Sequence, residues 1–137
     1  MAKRKENQVI KSISKAFPKM SKLKDTHRTE TFDCENRDYI IEIKCRDKRY
    51  DSWLFERSKY DSNLPKAKES GREFIYIVEY KGDCWAWNIS KLVSKEHNFE
   101  WEERSMPKTT EFRNRSLINK QVGYVTKETL YILNFYR

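Results

Sequence analysis

Hydrophobic and polar positions alternate most cleanly between Phe32 and Cys45. Phe32 and Cys34 lead into a polar Glu35-Asn36-Arg37-Asp38 turn, and Tyr39, Ile41, Ile43 and Cys45 then return at a period of two. That pattern predicts a β-hairpin over Thr29–Arg46. With Asn36 and Arg37 at its tip, Cys34 faces Tyr39, Asp33 faces Ile40 and Thr31 faces Glu42. One face of the hairpin is then apolar, with Phe32, Cys34, Tyr39, Ile41, Ile43 and Cys45. The other holds Thr31, Asp33, Glu35, Asp38, Ile40, Glu42 and Lys44, and is expected to be solvated.

Around the hairpin the periods change. Val9, Ile10, Ile13, Ala16, Phe17 and Met20 recur at helical spacing, with Lys5, Lys11 and Lys15 on the other face and Pro18 as a stop. After the charged Arg46–Tyr50 stretch, Asp51 or Ser52 can cap a helix beginning at Trp53, with Trp53, Tyr60, Leu64 and Ala67 on one stripe. Pro65 should break that helix and Gly71 end it. Glu73–Tyr80 is apolar on both faces and reads as a central strand. Lys81-Gly82-Asp83 turns the chain into a second strand over Cys84–Ile89, with Trp85 and Trp87 sharing a core face. Ser90–Glu96 predicts a short helix, and Phe99 with Trp101 a brief edge strand. Residues 106–119 read as a polar, basic loop. Gln121–Val125 and Thr129–Tyr136 follow as strands, the second with a terminal helix as its alternative. The order helix, hairpin, helix, strand pair implies an α+β fold with a mixed β-sheet and flanking helices.

Composition changes this picture in two ways. The chain has 137 residues with 37% hydrophobic and 36% charged content, which fits one domain with a core over about 5–89 and a basic C-terminal extension over about 90–137. The net charge of +8 is uneven. Residues 1–25 carry eight basic and two acidic side chains, 104–137 seven and two, and the middle fourteen and seventeen, giving +6, +5 and −3. Basic flanks around a carboxylate-rich centre suit a polyanion-binding protein with an acidic metal site. Cys34, Cys45 and Cys84 lack the spacing of a zinc site or a disulfide framework. No segment has the length of a membrane span or of a secretory leader, so the expected setting is cytoplasmic, with no membrane partner.

The acidic face of the hairpin carries the candidate chemistry. Two carboxylates held close on rigid strands can bind a hard cation such as Mg²⁺, and a lysine two residues beyond the second can orient a water for phosphodiester hydrolysis. Asp33 followed by Glu42-Ile43-Lys44 resembles the PD-(D/E)xK nuclease superfamily, in particular its small phage-type or resolvase-like members; Phe32 stands where that pattern has proline. A second acid-x-lysine, Glu79-Tyr80-Lys81, has no acid on a preceding hairpin arm.

The resemblance implies a restriction-endonuclease-like core and a nuclease dependent on Mg²⁺ or Mn²⁺. It makes Asp33, Glu42 and Lys44 catalytic, with Asp33, Glu42 and the Ile43 backbone carbonyl as metal ligands. Glu6 is the candidate for a further ligand, with a solvated surface role as its alternative. Lys11, Lys15, Lys59, Lys108, Arg113, Arg115 and Lys120 are the expected nucleic-acid contacts, DNA being favoured over RNA and a homodimer left open. The competing readings are a non-catalytic nucleic-acid-binding module on the same surface and a small protein that binds an acidic partner.

Overall fold

A computed structural model describes residues 2–16, 20–25, 31–107 and 117–126. Two sheets and three helices organise them. The larger sheet has the order β1-β2-β3-β5-β6, with β1 at Lys24–Asp25, β2 at Cys34–Glu35, β3 at Tyr39–Arg46, β5 at Glu73–Tyr80 and β6 at Asp83–Asn88. β3 and β5 are parallel and the other pairs antiparallel, so the sheet is mixed. The smaller sheet has the order β4-β8-β7, from Ser52–Glu56, Leu117–Thr126 and Glu102–Pro107. The helices are α1 (Ala2–Ala16), α2 (Arg57–Glu69) and α3 (Ile89–Ser94). Among the described residues no helix is long and apolar enough to cross a membrane.

Parallel strands cannot be joined by a tight turn, and here the crossover from β3 to β5 is β4 followed by α2. β5 is buried along almost its whole length because both of its faces are covered. Ile75 and Ile77 pack with Tyr39, Ile41 and Ile43 under Val9 and Ile13 of α1. Phe74, Tyr76 and Val78 pack on the opposite face with Ile40, Trp53, Phe55, Ala67, Trp87 and Val125. The expected central strand, the Lys81-Gly82 turn and the burial of Trp87 are all present.

Three expectations change. The helix predicted from Trp53 starts at Arg57, and Trp53 and Phe55 instead lie on the buried side of β4. Their spacing of two is a strand period, and β4 is held by pairing with β8, a partner distant in sequence. Pro65 does not break α2; it is exposed. The helix stops at a Schellman turn, where Gly71 (φ 68°) donates to the Lys68 carbonyl and Arg72 to that of Ala67. The strand expected at Phe99 and Trp101 lies later, at Glu102–Pro107. Both rings pack on Phe55 and Tyr60, with Trp101 also 3.1 Å from where a β-carbon on Gly123 would lie.

The core is therefore not confined to residues 5–89. β8 supplies fully buried Val122 and Val125 and holds β4 in place. The element predicted for 129–136 lies outside the described residues.

Candidate active site

The hairpin forms with a register two residues away from the predicted one. Cys34 pairs with Ile41 and Glu35 with Ile40. The Asn36 side chain explains the shift: its Oδ1 accepts from the backbone N–H of Asp38 (2.9 Å) and of Tyr39 (2.8 Å). The Asn36 N–H donates to the Tyr39 carbonyl at 3.0 Å, so Asn36 faces Tyr39 and the two-residue tip moves on by one residue, to Arg37-Asp38. A slip of two preserves facing, whereas a slip of one would have reversed it. Asp33 thus moves from a diagonal to the position across from Glu42. Phe32 is the exception: the chain bends at 31–33 and places its ring with Ile40 and Trp53 rather than with Cys34.

Asp33 and Glu42 meet. Their carboxyl groups share a hydrogen bond, and Asp33 Oδ2 also accepts from the Ile43 N–H at 2.7 Å. The Glu42 face of β3 is not solvated as expected, because α2 and the smaller sheet cover it; Glu42 is 2% exposed. Burial foremost, together with the adjacent Asp33 carboxylate, pushes the Glu42 carboxyl up to about 8 against the pull of two ammonium groups. Those groups are Lys44, whose Nζ is 3.5 Å from Glu42 Oε2, and Lys59, at 3.8 Å. The Ile43 carbonyl leaves β3 on the same edge as its N–H, toward Asp33 and beyond the end of the short β2 ladder.

α2 aims a polar stripe at the bend that carries Asp33. Asn63 Nδ2 donates to the Thr31 carbonyl at 3.1 Å, Lys59 Nζ to the same carbonyl at 3.2 Å, and Lys66 Nζ to the Thr31 hydroxyl oxygen at 3.3 Å. The Thr31 hydroxyl in turn donates to Asn63 Oδ1. Lys59, Asn63 and Lys66 are spaced i, i+4, i+7, one face of a helix. That spacing was present in the sequence, but a helix started at Trp53 set attention on its apolar stripe. Asn63 is fully buried. The Asp33 N–H donates to the Ile41 carbonyl of β3 at 2.8 Å, and the clamp fixes the chain two residues before it, so strand and helix together place the first acid. Asn63→Ala should lower stability by about 2 kcal/mol and weaken Mn²⁺ binding at least about tenfold. Calorimetric titration of folded variant with unchanged Mn²⁺ affinity would show that α2 does not position Asp33.

No family model, curated protein or solved structure matches this chain.

The donor set fits a hard divalent cation. Two carboxylates in contact repel unless a proton or cation lies between them, and a backbone carbonyl stands on the same edge. Among the described residues no three His, Cys, Asp or Glu side chains gather as a metal-binding group. Two carboxylates and a carbonyl are the kind of donor set Mg²⁺ takes, since it keeps several waters and binds through one or two carboxylates plus substrate phosphate.

Of the other predicted contacts, Lys59 and Lys120 border the site. Both line a cleft of about 620 Å³ with Lys44 and Arg57. Lys11 and Lys15 are exposed on α1, which packs against the opposite face of the sheet. Glu6 belongs to that helix too, so it is not brought to Asp33 and Glu42. Lys108, Arg113 and Arg115 lie outside the described residues.

Proposed function

We propose that this protein is a Mg²⁺- or Mn²⁺-dependent nuclease that hydrolyses phosphodiester bonds of DNA. The observation that carries the reading is the contact between Asp33 and Glu42 with Lys44 beside them. The order of elements supports a restriction-endonuclease-like core of the PD-(D/E)xK kind. An acid stands at the start of the first hairpin arm, acid-x-lysine lies on the second, and a crossover helix leads to a parallel strand.

Asp33, Glu42 and the Ile43 carbonyl would hold the cation, which when bound supplies charge neutralisation at the phosphate and a lowered pKa for water. The chain's own groups do the rest. Lys44 is partly exposed, and its ammonium orients the attacking water and donates toward the phosphate oxygens. Lys59 offsets the charge of Glu42 and ties the Thr31 carbonyl to the site. Burial of Glu42 keeps bulk water from its carboxyl.

Incubation of labelled supercoiled, linear and branched DNA with Mg²⁺, Mn²⁺ or EDTA tests the reading, with RNA as a further substrate. Cleavage of DNA is expected with either metal and none in EDTA. Cleavage that persists in EDTA, or none of any substrate with either metal, would remove it. A salt-steep binder without metal-dependent cleavage would instead be a non-catalytic module.

A further inference from the structure

Two clefts open on neighbouring positions of the strand that carries Lys44. The first, about 620 Å³, has Lys44, Arg57, Lys59 and Lys120 on its walls against two acids, Glu56 and Asp61. The second, about 340 Å³, has Arg46 and Arg104 against Asp47. Lys44 and Arg46 are two residues apart on β3, so they leave it on the same face about 7 Å from each other. Both clefts are walled by the smaller sheet, through Lys120 of β8 in one and Arg104 of β7 in the other.

The cations are held in place. Lys120 Nζ is 3.1 Å from Glu56, Arg57 is 3.6 Å from Asp61 and donates to Gln121 at 2.6 Å, and Arg104 donates to the Tyr124 hydroxyl at 2.9 Å. Ordering them in advance lowers the entropy lost when an anion arrives. Excess positive charge beside a phosphodiester site suits a chain of phosphates.

Apolar exposure adds a second chemistry. Only three large hydrophobic side chains are exposed among the described residues: Tyr50 at 53%, Leu117 at 66% and Ile118 at 40%. Tyr50 lines the second cleft and Ile118 the first, with Leu117 its neighbour in the chain. Each cleft therefore pairs cations with an exposed apolar side chain. In an intact duplex the base faces are stacked inside, and only edges and backbone meet a protein. An apolar wall beside a phosphate track serves a strand whose bases are unstacked.

We infer that the two clefts seat an unpaired nucleic-acid strand that crosses the Lys44 site. The cations take its phosphates, one base lies against Tyr50 and another against Ile118. The assignment rests on the nuclease reading for what happens at Lys44, but the titration that decides it uses no cleavage.

The probe is a fluorescein-labelled oligodeoxynucleotide, single-stranded or annealed as a blunt duplex, titrated with the full chain in EDTA and followed by anisotropy. Single strand is expected to bind at least about tenfold tighter than duplex. Tyr50→Ala and Ile118→Ser should each weaken single-strand binding about tenfold, within the range for loss of one base contact. Tyr50→Phe should retain it, since the ring remains. Both positions are exposed, and matched circular dichroism confirms that a weakened variant is folded. Equal or tighter duplex binding overturns the inference, as does a folded Tyr50→Ala, Ile118→Ser double variant that binds single strand like the parent. Metal-dependent cutting of duplex without single-strand preference removes the strand and leaves the nuclease. Single-strand preference without any cutting in Mg²⁺ does the reverse.

Discussion

Asp33→Asn should eliminate metal-dependent cleavage, with a loss of at least about 10²–10³-fold in kcat, while Asp38→Asn should leave activity within about twofold. Both acids precede Glu42 and both were on its face in the predicted hairpin, so facing does not separate them. Distance does. Asp38 is four residues from Glu42 along one direction of the chain, about 13 Å at strand rise, too far to share an ion whose ligand bonds are near 2.1 Å. Its carboxylate is half exposed beside Arg37. Asp33 touches Glu42 and is fixed by the Ile43 N–H. Asparagine keeps the shape and the acceptor for that N–H, so the fold should survive while the charge is lost. Steady-state cleavage with Mg²⁺ and a Mn²⁺ titration are the measurements. If Asp38→Asn proved to be the inactive variant, the register and the site built on it would be wrong.

Lys44→Ala should abolish cleavage, by about 10²–10³-fold, the range for loss of a positioned donor to developing charge, with Mn²⁺ affinity largely kept. The stability cost should be small, because Glu42 retains Lys59 at 3.8 Å and no buried charge is orphaned. Lys44 is also partly exposed, so truncation opens no sealed cavity. Full activity in purified, folded Lys44→Ala protein would take the chemistry away from this strand. Binding should fall much less than cleavage in the same variant, since the cleft that Lys44 lines keeps Arg57, Lys59 and Lys120.

Local pattern was enough for several elements. Period two marked β3, the run Glu73–Tyr80 with apolar residues on both faces marked a strand buried on both sides, and Lys81-Gly82 marked the turn after it. Helical spacing placed Val9 and Ile13 on the buried side of α1. The same alternation put Asp33, Glu42 and Lys44 on one face. That result survived a wrong register because facing depends only on whether the slip is even.

What the sequence by itself determined, then, is which side chains share a face and which segments run through the core. The tertiary structure decided how far apart they are and what covers them. Glu42 is buried because α2 and the smaller sheet close over its face, and that sheet exists only through pairing of β4 with β8, more than sixty residues later. Trp53 and Phe55 became strand for the same reason: a short aromatic run suits either period until a distant partner supplies its hydrogen bonds. Asn63 and Lys59 acquired their roles only when α2 packed across the Thr31 bend. Local propensity acts between near neighbours in the chain, whereas contacts between distant segments form only in the folded core, where burial and unsatisfied backbone groups choose the partner.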